Sequence, residues 1–156
     1  MALNFESLRC LLIPVGNRHL LLPNSCVAEI ITYQEAQPVP GAPEWLLGLL
    51  PWRSQMIPTI TYEALVHNEQ VRVGRRSRLV IMKADTHRRE MPFYALVTQG
   101  FPRLMQLRRE EIKLIDVADD VPFVDSYVNA AGVDAELLNV NVLEDTLVAR
   151  GGAAFG

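Results

Sequence analysis

The chain is 156 residues long, 49% apolar and 21% charged, with a formal net charge of −3. That composition fits one globular domain, or two small lobes around one core, and excludes a disordered or disulfide-framed chain. At this length folding hides about two-thirds of the unfolded surface, so no metal or disulfide staple is needed, and the small negative charge gives no overall attraction to nucleic acid or anionic lipid.

Met1 to Glu6 has no basic segment leading into an apolar one, and the longest apolar run, Trp45 to Trp52, is far shorter than a bilayer span. The expected location is the cytoplasm, without membrane insertion. Cys10 and Cys26 lie in apolar stretches and are expected to be reduced and buried.

Ten prolines and nine glycines separate short runs rich in Val, Ile, Leu and Tyr, the rhythm of many short strands. Leu8 to Val15, Gly16-Asn17-Arg18 and His19 to Leu22 predict a hairpin that stops at Pro23 and sets His19 beside Cys10. Asn24 or Ser25 would cap a short helix from Cys26 to Ile31, with Val27, Ile30 and Ile31 on one face; a strand is the alternative. Gln37 to Pro43, with three prolines and a glycine, predicts an extended loop. A strand over Gln55 to Thr61 and a helical turn over Tyr62 to Val66 follow.

His67 to Ser77 reads as a long polar loop. Arg78 to Lys83 and Met91 to Thr98 form a predicted antiparallel pair, ended by Gly100-Phe101-Pro102. Leu104 to Ile115 shows no clear period. Tyr127 to Ala131 and Glu136 to Val140 predict a third hairpin, and Asn141 would cap a terminal helix from Val142 to Ala149. Residues 151–156 read as a flexible tail behind a single domain spanning 1–150. Each half offers four or five strands and one long polar loop, so the fold class is mainly β, two small barrels in tandem.

Little in the chain points to catalysis. His19, His67 and His87 stand at no metal-ligand spacing from one another or from a cysteine. Ser54, Ser77 and Ser126 lack a nucleophile elbow, and there is no glycine-rich phosphate cradle. The adjacent acids Glu110-Glu111 and Asp119-Asp120 would point apart in a strand and read as solvated charge. No enzymatic activity, metal or cofactor is expected. The charge is nonetheless polarised. Arg72 to Arg89 holds six arginines and Lys83 against Asp85, whereas Glu110 to Asp145 holds ten acids against Lys113. Such polarity suits docking on charged partners, or marks solvated loops.

Residues 38–62 combine a proline-braced loop with Trp45, Trp52 and Arg53, the residue types that protein interfaces concentrate. The order Pro40, Ala42, Pro43, Trp45, Gly48, Arg53, Ile57, Pro58, Ile60 resembles the CheW-like coupling domain. Val27-Ala28-Glu29-Ile30, Tyr94 to Gly100 and Gly132 to Leu143 extend the likeness over about residues 8–149. The resemblance implies two five-stranded SH3-like barrels sharing a core, with a short C-terminal helix. It also implies a non-catalytic adaptor. One surface would bind the regulatory domain of a CheA-type histidine kinase, the other the cytoplasmic tip of a chemoreceptor.

Carried over by position, Val27, Glu29 and Gly48 stand near the family's receptor-contact groove. Arg53 takes the place of an arginine whose loss uncouples signalling, and Gly100 lies near the second barrel's partner-facing strand. Trp45 and Trp52 precede the arginine, Trp52 directly, and complete the expected partner-binding set. The plainer readings are a core role for Val27, unusual backbone at Gly48 and a half-buried anchor in Trp45. Pro51, Ser54, Thr61, Thr98 and Asn141 stand where the family carries asparagine, glycine and three aspartates. These departures imply a diverged coupling protein, with a type IV pilus (twitching) chemosensory system as its expected setting. Two alternatives are a decoy that binds one partner only, and a small-barrel nucleic-acid module using the Arg72 to Arg89 edge, which would need aromatics among its basic residues.

Overall fold

Several apolar runs, such as Cys10 to Val15 and Leu79 to Met82, are too continuous for strands with one wet face. In the computed structural model, which describes residues 6–86, 88–116 and 121–155, these strands are buried on both faces. The strands are β1 (Ser7–Val15), β2 (Arg18–Pro23), β3 (Val27–Thr32), β4 (Leu46–Trp52), β5 (Gln55–Ile60), β6 (Arg78–Lys83), β7 (Phe93–Val97), β8 (Arg103–Arg108), β9 (Ile112–Ile115), β10 (Val124–Ala130) and β11 (Val133–Leu138). The helices are α1 (Tyr62–His67) and α2 (Val140–Phe155).

They form a six-stranded sheet in the order β8-β1-β2-β11-β10-β9 and a five-stranded sheet in the order β3-β6-β7-β5-β4. The mainly β, paired-barrel architecture is as expected. However, one sheet has six strands rather than five, and the halves are nested rather than successive. The β3–β7 barrel is inserted between β2 and β8 of the other. Two long-range pairings produce the nesting: β1 against β8, with Leu8 opposite Leu107, and β2 parallel to β11, with Leu20 opposite Glu136.

Strand alternation divides the side chains among three cores. Cys10, Leu12 and Leu21 point into the first barrel with Val128 and Ala135. Leu79, Ile81, Ala95 and Val97 fill the second with Leu50 and Trp52. The intervening residues Leu11, Ile13, Leu20, Leu22, Val80, Met82, Tyr94 and Leu96 meet between the barrels, where Leu143 and Leu147 of α2 join them. Each such aliphatic side chain contributes roughly 2 kcal/mol by burial. A one-residue slip in any of these strands would exchange two cores.

Three local expectations are corrected. Residues 27–32 are a strand, entered by a single 3-10 turn at Asn24–Cys26, not a helix. The β1–β2 turn is only Gly16-Asn17, so Pro14 lies opposite His19 and Cys10 opposite Pro23, which leaves His19 and Cys10 apart. α2 is capped by Asn139, whose side-chain oxygen accepts from the Val142 amide at 3.2 Å, and its backbone continues past Ala149 to Phe155. Cys10 is buried and Cys26 half-buried, both free. His87 and the Asp119-Asp120 pair lie outside the described residues. No helix of the described residues is long and apolar enough to cross a membrane.

Candidate functional site

The β4–β5 hairpin pairs Trp52 with Gln55, leaving Arg53 and Ser54 as a two-residue turn. Both have left-handed backbone, with φ of 45° and 64°. That is the geometry required by the tight hairpin turn that matches strand twist, and it favours Asn-Gly over Arg-Ser. The arginine is held in place by its neighbours. Its guanidinium carbon sits 4.7 Å from the Trp52 ring centroid, and its Nη2 lies 3.6 Å from Glu29 Oε1. Trp52 Nε1 donates to the same Glu29 oxygen at 2.9 Å.

The Trp52–Glu29 bond also closes the barrel, because β4 and β3 are the two edges of the five-stranded sheet. Trp52 itself is 7% exposed and tilts against Phe93 at 4.9 Å between centroids, so it is a fixed platform. The Arg53 side chain, by contrast, is 65% exposed. The result is a positive group presented outward from a rigid, aromatic-backed corner.

Gly48 sets the neighbouring wall. At φ 149° it sits at a bulge in β4, and a Cβ there would lie 2.1 Å from the Gln37 carbonyl oxygen. This close approach lets Gln37 and Leu49 exchange two backbone hydrogen bonds, of 2.8 and 2.9 Å, stitching the proline loop onto the open edge of β4. Trp45 is 7% exposed and belongs to the core between the barrels; its carbonyl accepts from the Thr61 amide at 2.9 Å. Val27 is half-buried against that same core.

The structure therefore brings Glu29, Trp52 and Arg53 together, places Gly48 further along β4, and turns Val27 and Trp45 into the core between the barrels instead. Gly100 is elsewhere. β5 and β7 run parallel, Arg53 precedes the first and Gly100 follows the second, so they occupy opposite ends of the sheet. Gly100 packs towards Pro14, and its carbonyl accepts from Thr98 Oγ1 at 2.6 Å. Thr98 also accepts from the Arg78 amide at 3.0 Å. An ionised aspartate could not fill both roles, since it has no proton to donate.

Two buried polar clusters were not legible as sites. Glu136, 5% exposed, accepts from Tyr62 Oη at 2.6 Å, lies 2.9 Å from His67 Nε2, and faces Arg18, which also pairs with Glu69. Burial and the Glu136 carboxylate push the Tyr62 hydroxyl far above its ordinary range. Glu144, fully buried on α2, accepts from Arg88 Nε at 2.9 Å, Tyr94 Oη at 3.0 Å and the Asp85 amide at 3.0 Å. Arg88 adds Asp145 at 2.7 Å. Arg88 thus binds α2 to the second barrel instead of contributing to a basic edge. The signal was present in the sequence: Glu144 occupies a core position of the helix beside Leu143 and Leu147.

Asn17, Arg18, His19, Tyr127 and Glu136 line a cleft of about 250 Å³. Among the described residues no cluster of three or more His, Cys, Asp or Glu could hold a metal ion.

The CheW-like domain family model matches residues 9–146. No curated protein matches the chain significantly. Among solved structures, the scaffolding protein TtCheW from Thermoanaerobacter tengcongensis superposes with a TM-score of 0.72 at 13% identity, over 90% of this chain and 89% of that one. With the family match spanning both barrels and the turn that carries Arg53, the chain belongs to the CheW-like domain family.

Proposed function

We propose that the chain is a non-catalytic coupling adaptor of a chemotaxis or twitching-motility system, joining the cytoplasmic tip of a chemoreceptor to the regulatory domain of a CheA-type histidine kinase. The observation that carries the proposal is the Arg53 corner: an exposed guanidinium already stacked on Trp52 and steered by Glu29. A side chain ordered before binding loses little entropy on binding, and arginine on an aromatic support is what hot spots favour. Family membership and the fold shared with a scaffolding protein support the same reading.

In this mechanism Glu29, Arg53 and the rim of Trp52 touch the partner. Gly48 holds the proline loop on β4 beside them, Val27 and Trp45 anchor that barrel to the core it shares with the other, and Gly100 serves the far end of the sheet. The protein acts as a rigid connector, passing receptor state on by positioning the kinase. Pairwise pull-downs with the receptor tip and the kinase domain, each against wild type and Arg53→Glu, test it. The expected result is binding of both partners and loss of at least one in the variant. Unchanged binding of both would remove Arg53 from the site, and binding of one partner only by the wild type would make the chain a decoy.

A further inference from the structure

At the opposite end of the second barrel, past the end of β7, Phe101 is 54% exposed. It is not a bare apolar side chain. The guanidinium carbon of Arg78 sits 4.1 Å from its ring centroid and that of Arg76 5.7 Å. Phe101 and Arg103 also line a groove of about 170 Å³ with Leu12, Pro14, His19 and Val133 of the first barrel. Among the described residues no carboxylate pairs with Arg76, Arg78 or Arg103, although the chain as a whole is acidic.

From this juxtaposition we propose that the Phe101 groove, lined by Arg103 and flanked at the Phe101 ring by Arg76 and Arg78, is a second docking surface for a narrow acidic segment of a partner protein. The segment would place an apolar side chain in the groove and carboxylates against the guanidinium groups. Charge complementarity carries the choice of occupant: Arg103 in the groove and Arg76 and Arg78 at its Phe101 wall, none paired with a described carboxylate, stand together on a molecule of net charge −3. A groove of this size takes one side chain of an extended segment, not the broad face of another sheet.

A single-stranded nucleic acid fits less well. Stacking needs free aromatic faces in series, but here only one ring is offered and Arg78 already lies against it. This surface is separate from the Arg53 corner and does not depend on it.

The test is fluorescence anisotropy at low salt with a labelled peptide of glutamates around a central leucine. A glutamine version of the peptide and a single-stranded oligonucleotide of equal charge serve as comparisons. Saturable binding of the acidic peptide alone is expected. Arg76→Glu combined with Arg103→Glu should weaken it by about tenfold, since attraction is replaced by repulsion at two surface positions. Phe101→Ala should weaken it as well, and Arg53→Glu should leave it unchanged. Arg78 is left intact because its side chain also bonds the Arg75 and Ser77 carbonyls, and Arg76→Gln keeps the test valid should the reversed pair misfold. Equal or tighter oligonucleotide binding, insensitivity to the Arg76 and Phe101 variants, or concentration-dependent self-association abolished by the same variants would each overturn the proposal.

Discussion

Replacing Gly48 by alanine tests how the Arg53 corner is supported. The new Cβ would lie 2.1 Å from Gln37 O and 2.5 Å from Gln37 C, both backbone atoms that cannot rotate away. Residue 48 also has φ 149°, outside the range alanine adopts readily. The loop must therefore separate from β4, losing the two Gln37–Leu49 hydrogen bonds. Two such bonds are worth about 1 kcal/mol each, and backbone strain adds about 1 kcal/mol, so the loss is about 3 kcal/mol. For a chain of this length that lowers Tm by about 6–12 °C. Urea unfolding gives the free energy, and hydrogen exchange at the Leu49 amide reports whether the loop has lifted. A Gly48→Ala protein within about 0.5 kcal/mol of wild type, with Leu49 still protected, would refute the account of the bulge.

Other expected outcomes concern charge and backbone. Ser54→Gly should raise Tm by a few degrees at most, because relief of left-handed strain, about 1 kcal/mol, is partly offset by glycine's greater freedom in the unfolded chain; a lower Tm would contradict the assigned turn. Arg88→Met should cost about 3 kcal/mol in urea unfolding by leaving the Glu144 carboxylate buried without its cation, and a neutral result would mean that Tyr94 and the Asp85 amide suffice. Glu63 is 2% exposed, and neither carboxylate oxygen has a hydrogen-bond partner. Burial pushes its pKa up, and the amides of Gln99 and Gly16 oppose this without reaching hydrogen-bond geometry. With the folded pKa above the unfolded one, its contribution is intact in acid and lost as pH rises through the folded value. Glu63→Gln should therefore be more stable than wild type near neutral pH, with the gap closing towards acid; a gap that widens in acid would contradict this.

Much of the architecture was legible because prolines and glycines mark the strand ends, and hairpin pairing is local. The β1–β2, β6–β7 and β10–β11 pairs join residues close together in the chain, and α1 and the polar loop after it fell where composition put them. The nesting of the barrels was not legible, since β1–β8 and β2–β11 join residues that no short window contains together. Residues 26–31 were ambiguous because Val27, Ile30 and Ile31 satisfy a helical face, whereas antiparallel pairing with the distant β6 makes Val27–Thr32 a strand. Asn139 and Asn141 are equally good caps by type, and only the packing of Leu143 and Leu147 against the core selects the earlier one.

The candidate site divides in the same way. Arg53 directly after the second of two tryptophans was visible as a pattern, but the opposite roles of those tryptophans, one in the core and one under the guanidinium, required the fold. The Arg72 to Arg89 cluster misled in part: Arg88 is bound internally to Glu144, while Arg76 and Arg78 gain an aromatic partner, Phe101, from a distant segment.

The measurement closest to the central claim is whether one molecule of this protein holds receptor tip and kinase regulatory domain at once. Analytical ultracentrifugation of the three purified components should show a ternary complex that forms only when this chain is present and is lost with Arg53→Glu. Partners that exclude one another, or a ternary complex that forms equally well without the arginine, would contradict the connector mechanism.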